Sequence, residues 1–118
     1  MSKGIGDKAE LLACNYLKQQ GLTLLFSNYR CRFGEIDLIM RDGNYLVFVE
    51  VRARKSSAFG GALASITASK QKRLIQTALH YQLTQNQQNQ HPLRFDVVCL
   101  QGTSCQLEWI KNAFGLDY

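Results

Sequence analysis

Hydrophobic and polar residues alternate most clearly in two neighbouring stretches of the chain, residues 34–40 and residues 46–52. Alternation with a period of two is typical of a β-strand that has one face buried. The Asp42-Gly43-Asn44 segment lies between the two stretches, and Asp-Gly between alternating runs is a strong signal for a tight turn. The pattern therefore predicts a β-hairpin.

A two-residue loop at Gly43-Asn44 predicts which residues of this hairpin face each other: Asp42 and Tyr45, Asp37 and Glu50, Glu35 and Arg52. One face is then polar, with Glu35, Asp37, Glu50 and Arg52. The other face is expected to lie in a core, with Ile36, Leu38, Met40, Tyr45, Val47, Val49 and Val51. A slip of one residue in the register would move half of the set to the other face.

Two opposed carboxylates on one sheet face repel each other, so the pairing of Asp37 with Glu50 needs an explanation. Facing Cβ atoms lie about 4.5–5.5 Å apart, which leaves room for a divalent cation with oxygen ligands at about 2.0–2.6 Å. In the alternative interpretation the polar face is simply solvated, with Glu35 beside Arg52. The spacing alone leaves both interpretations open.

The remainder of the chain predicts two helices and three further strands. Apolar residues at helical spacing predict a helix over residues 7–20, where Glu10 either closes a capping box with Asp7 or points toward the hairpin. Residues 22–31 predict a strand that is broken or twisted near Ser27-Asn28. Thr67 is the expected N-cap of a helix that runs to about residue 85. Two more strands are expected at residues 93–100 and 105–111.

The resulting order, α-β-β-β-α-β-β, predicts a single α/β domain over residues 1–118 with a mixed central sheet and flanking helices. The helix between the third and fourth strands favours a parallel βαβ unit. No apolar run approaches the 18 residues of a membrane-spanning helix, and no apolar signal core follows Met1. A cytoplasmic protein is therefore expected, with reduced thiols at Cys14, Cys31, Cys99 and Cys105.

The net charge is +5, from 14 Lys and Arg against 9 Asp and Glu. The basic residues concentrate around the hairpin and at the start of the second helix: Arg30, Arg32, Arg52, Arg54, Lys55, Lys70, Lys72 and Arg73. Carboxylates ringed by cations favour a negatively charged partner such as nucleic acid. A solvated basic surface is the alternative.

An Asp on the second strand and a Glu-x-Arg on the third, within this order of elements, resemble the PD-(D/E)xK, or restriction-endonuclease-like, superfamily. Five segments resemble the YraN family of uncharacterised endonuclease-like proteins more closely: Gly34–Ile39, Val47–Arg52, Lys70-Gln71, Arg94–Val98 and Trp109–Phe114. Among superfamily members with known activity, archaeal-type Holliday-junction resolvases are the nearest in layout. The resemblance implies a restriction-endonuclease-like fold.

Carried over by position, Asp37 and Glu50 match the two metal-binding acids of the motif, and Glu10 matches an acid of the first helix that often completes the metal shell. Arg52 stands where the motif has Lys. Arginine can stabilise charge on a phosphate but does not give up its proton at neutral pH. Lys70 can supply an amine in its place if it reaches the same face.

The resemblance implies a nuclease that uses Mg²⁺ or Mn²⁺ to hydrolyse phosphodiester bonds in DNA, with branched DNA among the candidate substrates. The expected catalytic residues are Asp37, Glu50 and Arg52. The expected nucleic-acid contacts are Arg32, Arg54, Lys55, Lys70, Lys72 and Arg73. Arg52 motivates an alternative, a non-catalytic nucleic-acid-binding protein on a degenerate nuclease fold, and a protein-interaction module is the third possibility. A homodimer is compatible with each of them.

Overall fold

The computed structural model describes residues 8–54, 66–85, 91–101 and 106–115. Within these residues two helices accompany five strands. In chain order they are α1 (Lys8–Gln19), β1 (Thr23–Cys31), β2 (Gly34–Asp42), β3 (Tyr45–Arg54), α2 (Ala68–Thr84), β4 (Leu93–Gln101) and β5 (Gln106–Phe114). The strands form one sheet in the order β1-β2-β3-β4-β5. The predicted α/β class and order of elements are confirmed.

The predicted register of the hairpin is also confirmed over its described pairs. Asp42 faces Tyr45, and the same register continues to Leu38 and Val49. β3 and β4 are parallel, as the βαβ pattern predicts, whereas the other neighbouring strands are antiparallel. The sheet is therefore mixed. β5 continues to Phe114, three residues beyond the end that the sequence predicts.

The two helices cover opposite faces of the sheet. Residues on the α2 side form one apolar cluster: Ile36, Ile39, Leu46, Phe48, Ile66, Leu74, Ala78, Tyr81, Phe95, Val97 and Cys99. Residues on the α1 side form the other: Ala13, Cys14, Leu17, Leu22, Leu38, Met40, Val47, Val49, Val98 and Leu100. Both faces of the sheet are therefore packed against a helix.

The structure corrects two details of the predicted apolar face. Ile36 packs on the α2 side, while Leu38 packs on the α1 side. In the adjacent strand Asn28 has a left-handed φ of 55°. The sequence predicts a break or twist in β1 near this residue, whereas the register of β1 shifts between Leu24 and Phe26. Tyr45, at the turn, is 44% exposed instead of buried.

Several predictions fall outside the described residues, namely those on Asp7, Lys55 and Cys105. Arg54 ends β3, but its side chain is also outside the description. Of the other cysteines, Cys14 and Cys99 are buried and Cys31 is partly buried, and all three are free thiols. Neither described helix is long and apolar enough to cross a membrane.

Candidate active site

A cleft of about 370 Å³ opens where β2 begins, β3 ends and α2 starts. Acidic, basic and small residues line it: Gly34, Glu35, Asp37, Glu50, Thr67, Lys70, Arg73 and Leu74. The antiparallel hairpin brings the beginning of β2 beside the end of β3, and α2 then packs back over the same end of the sheet. The cleft therefore joins the predicted acids of the hairpin to the predicted cations of the helix.

Two local features shape the walls of this cleft. The side chain of Thr67 accepts a hydrogen bond from the backbone N–H of Lys70 at 3.2 Å, which caps α2 as the sequence predicts. Gly34 has a φ of +150°, and a Cβ at this position would lie 3.3 Å from Oγ1 of Thr77. Glycine thus allows the start of β2 to approach α2 closely. The amino-acid sequence alone does not reveal this close approach.

Asp37 is the most perturbed acid of the cleft. Its Oδ2 atom accepts a hydrogen bond from the backbone N–H of Val51 at 2.8 Å, which ties the side chain to β3. Burial raises the pKa of the Asp37 carboxyl to about 8, and the nearby carboxylate of Glu50 acts in the same direction. The hydrogen bond from Val51 opposes the shift, since it favours the charged form. Asp37 and Glu50 therefore lie close enough for their charges to interact.

Glu10 also reaches this acidic group from α1. Its charge raises the pKa of Asp37, and the two carboxyl groups share a hydrogen bond. Such a bond needs a proton on one of the two groups, because ionised carboxylates are acceptors only. The structure thus supports the interpretation in which Glu10 points toward the hairpin.

Glu50 lies between two cations. Its Oε2 atom is 3.0 Å from Nζ of Lys70 and 3.2 Å from a terminal nitrogen of Arg52, and the residue is only 8% exposed. The Nε–H group of Arg52 is buried and has no hydrogen-bond acceptor among the residues that the structure describes. Lys70 therefore reaches Glu50 from α2. Arg52 occupies the position on β3 where the motif that the sequence resembles has a lysine.

Not every predicted residue joins the site. Arg73 lines the cleft, but Lys72 is exposed on α2 and does not line it. Arg32 is exposed in the turn between β1 and β2, with its guanidinium 4.9 Å from the centre of the Phe33 ring. Glu35 lines the cleft, yet its ion pair is with Arg30 of the neighbouring strand at 2.9 Å, not with Arg52 as the extrapolated register predicts. The described pairs of β2 and β3 end at Leu38 and Val49, before that position.

Within the described part of the chain, no three His, Cys, Asp or Glu side chains are arranged as ligands of one metal ion. A magnesium ion does not require three, because it keeps several waters and usually takes one or two protein carboxylates. Asp37 and Glu50 are the residues of the cleft with the chemistry for this role. Their carboxylate oxygens are the hard ligands that Mg²⁺ and Mn²⁺ prefer.

A second buried acid, Asp96, serves the fold. Its carboxylate accepts hydrogen bonds from the Arg94 guanidinium, from the indole N–H of Trp109 at 2.9 Å and from the backbone N–H of Asn112 at 3.0 Å. Arg94 in turn pairs with Asp42 at 2.9 Å. This network joins β4 to β5 and to the hairpin. The alternation of Arg94 and Asp96 along a buried strand is a sequence signal for it, because both side chains must lie on one face.

The part of the sequence that forms the cleft is similar to sequences of known proteins. The model of the uncharacterised protein family UPF0102 matches residues 9–100 of the chain. A UPF0102 protein of Legionella pneumophila is 53% identical over 114 residues, which cover 97% of each chain. One from Nitrosomonas europaea is 57% identical over 110 residues, covering 92% of each chain. Another, from Saccharophagus degradans, is 52% identical over 112 residues, covering 95% of this chain and 93% of that protein. The matched range includes every acidic and basic residue of the cleft.

Proposed function

The chain belongs to the uncharacterised protein family UPF0102, the YraN family that its motifs resemble, and from its cleft we propose that it is a metal-dependent nuclease that hydrolyses phosphodiester bonds in DNA. One observation carries the proposal: Asp37 and Glu50 interact in a cleft where Lys70 and Arg52 lie against the same carboxylate. Paired acids beside cations are suited to a metal ion and an anionic substrate. The order of elements supports a restriction-endonuclease-like fold as part of this proposal.

Asp37 and Glu50 would hold the metal ion, with Glu10 as a neighbouring acid beside Asp37. The donor set fits Mg²⁺ or Mn²⁺, since it consists of carboxylates and leaves the remaining positions to water. When bound, the ion supplies Lewis acidity toward a phosphate oxygen and lowers the pKa of a coordinated water. A bound ion would also offset the repulsion between Asp37 and Glu50. This repulsion adds to the effect of burial in raising the pKa of Asp37.

The cations of the cleft would divide the work on the phosphate. Arg52 can stabilise the negative charge that develops on the phosphate, because its guanidinium lies against Glu50 and remains protonated throughout. Lys70 has a primary amine 3.0 Å from Glu50, where it can hold the attacking water. The sequence therefore departs from the motif at Arg52, while the fold brings a lysine from α2 to the same carboxylate.

The same region also provides affinity for a nucleic-acid backbone. Arg73 lines the cleft at the N-terminal half of α2, and Lys72 is exposed beside it. The chain carries a net charge of +5, and lysine and arginine neutralise phosphates without regard to base sequence. We therefore expect binding that weakens as salt concentration rises. Replacing Lys72 by Glu should lower the affinity for unrelated DNA sequences to a similar extent and flatten its salt dependence.

The experiment is a cleavage assay on linear, nicked and branched DNA with Mg²⁺, with Mn²⁺ or with EDTA. The natural protein should cleave at least one substrate when metal is present, and Glu50→Gln should abolish that cleavage. Glu108→Gln is a matched control, since it also converts a Glu to an amide but lies exposed on β5, away from the cleft. Cleavage that survives Glu50→Gln would come from a contaminant and would remove this mechanism.

A second function, non-catalytic binding of nucleic acid, is favoured by the ion pairs of Glu50. Lys70 and Arg52 already neutralise this carboxylate, which lowers its need for a metal ion. In that case DNA would bind in a salt-dependent manner, and neither metal would produce cleavage. Mg²⁺ would also fail to raise the melting temperature. Absence of both cleavage and nucleic-acid binding would instead favour a protein-interaction module.

A further inference from the structure

Aromatic side chains form a compact group beside the cleft. The hydroxyl of Tyr29 shares a hydrogen bond with Nδ1 of His80, which fixes the imidazole ring on α2. The Phe33 ring meets this imidazole edge to face, with 6.1 Å between ring centres. Tyr29 also packs against Tyr81 at 5.2 Å. The ring of Phe33 is therefore held in place by rings that are themselves anchored to the helix and the sheet.

Arg32 covers this ring with its guanidinium group. Its guanidinium carbon lies 4.9 Å from the centre of the Phe33 ring, and the residue is exposed. Among the described residues no carboxylate lies within 4.0 Å of it, in contrast to Arg30, which pairs with Glu35. An exposed cation over an aromatic ring contributes little stability. A planar ligand can therefore take its place on the ring at small cost.

The group adjoins the proposed active site directly. Phe33 is followed by Gly34, which lines the cleft and lies against Arg73 and Thr77 of α2. The cleft itself contains Asp37 and Glu50. A nucleotide stacked on Phe33 would thus be a close neighbour of a phosphate placed at the acids.

We propose that Phe33 stacks against an unpaired nucleobase of the DNA substrate, and that Arg32 leaves the ring to pair with a phosphate of the same strand. The inference rests on the proposed function, because it takes nucleic acid as the ligand, and it deepens that function by naming the substrate class. The bases of an intact duplex are stacked on each other and do not offer their faces to a side chain. Single strands, flaps and junctions do offer them. The site therefore selects DNA that contains unpaired or splayed nucleotides.

The experiment measures binding of fluorescently labelled DNA in EDTA, so that cleavage plays no part. One probe is a duplex with a single-stranded flap, and the other is the fully paired duplex of the same length. Removal of one base–aromatic stack is expected to weaken flap binding about 5- to 150-fold. Phe33→Leu should produce this loss for the flap and leave the duplex nearly unchanged. Phe33→Tyr keeps an aromatic face and should restore flap binding.

Tyr45→Leu is the matched control, since it removes an aromatic ring that also lies under an arginine but at the opposite end of β2 and β3. Thermal unfolding of each variant checks that the fold is retained. An equal loss for both probes, no loss with Phe33→Leu, or no rescue by Phe33→Tyr would overturn the inference.

The outcomes separate this inference from the proposed nuclease activity. If the natural protein prefers the flap through Phe33 but cleaves no DNA with either metal, the stacking site is supported and the nuclease activity is refuted. If the natural protein cleaves DNA and Phe33→Leu binds the flap normally, the nuclease activity is supported and the stacking site is refuted. Failure to bind either probe would overturn both.

Discussion

Replacing Asp37 by Asn should stabilise the metal-free protein, and the gain should be larger at pH 8 than at pH 6. Asparagine resembles the protonated form of Asp37, since its amide oxygen can accept from Val51 and its NH₂ group can donate to Glu10. The pKa of Asp37 is about 8 in the folded protein, whereas an unfolded aspartate has a pKa of about 3.9. Between these values the folded state holds a proton that the unfolded state lacks.

The sign follows from this difference in bound protons. Stability falls as pH rises wherever the folded state binds more protons, so the Asp37 contribution decreases from about pH 4 to about pH 8. The full slope is about 1.4 kcal/mol per pH unit and is halved at the folded pKa. From pH 6 to pH 8 the natural protein should therefore lose about 2 kcal/mol relative to Asp37→Asn. At about 4 °C per kcal/mol, this corresponds to about 8 °C in melting temperature.

The assay is thermal unfolding of the natural protein, Asp37→Asn and the exposed control Glu108→Gln at pH 6 and pH 8. Other groups titrate in this range, and the comparison between variants at each pH removes their contribution. The same measurements with Mg²⁺ test the proposed ligand. At 100 times its dissociation constant, an ion that binds only the folded state adds about 2.7 kcal/mol. The natural protein should gain this stability, and Asp37→Asn should lose most of the gain.

Two results would refute the reasoning. A difference between the natural protein and Asp37→Asn that is the same at pH 6 and pH 8 would mean that Asp37 does not hold a proton in the folded state. An equal gain in both proteins on adding Mg²⁺ would place the ion elsewhere.

Four further substitutions test other parts of the structure. Asp96→Asn should lower the free energy of unfolding in urea by roughly 3 kcal/mol, because it leaves the largely buried Arg94 short of a partner. A loss below about 1 kcal/mol would contradict a stabilising role for this network. Arg52→Ala should lose cleavage yet keep the Mg²⁺ stabilisation, whereas loss of both would make Arg52 necessary for the metal site. If cleavage is limited by the lack of a lysine in the motif, Arg52→Lys should raise the cleavage rate, and no increase would favour Lys70 in that role. Thr67→Ala should cost about 1 kcal/mol in thermal unfolding by removing the helix cap, and an unchanged melting temperature would show that the cap contributes nothing.

The sequence by itself determined the features that depend on neighbouring residues. The turn at Gly43-Asn44 sets the hairpin register, which the structure shows from Asp42 and Tyr45 to Leu38 and Val49. Thr67 was recognisable as an N-cap because capping joins residues only three positions apart. The parallel βαβ unit follows in the same way, from the order of elements.

Only the tertiary structure decided which distant groups meet at the cleft. Lys70 reaches Glu50 because α2 packs back over the sheet, a contact that no spacing in the sequence predicts. Phe33 meets His80 for the same reason. The side of the sheet on which Ile36 packs is likewise visible only in the folded chain. Turns and caps are fixed by interactions between neighbouring residues, whereas these contacts form when burial of apolar residues brings remote segments together. The raised pKa of Asp37 follows from that burial.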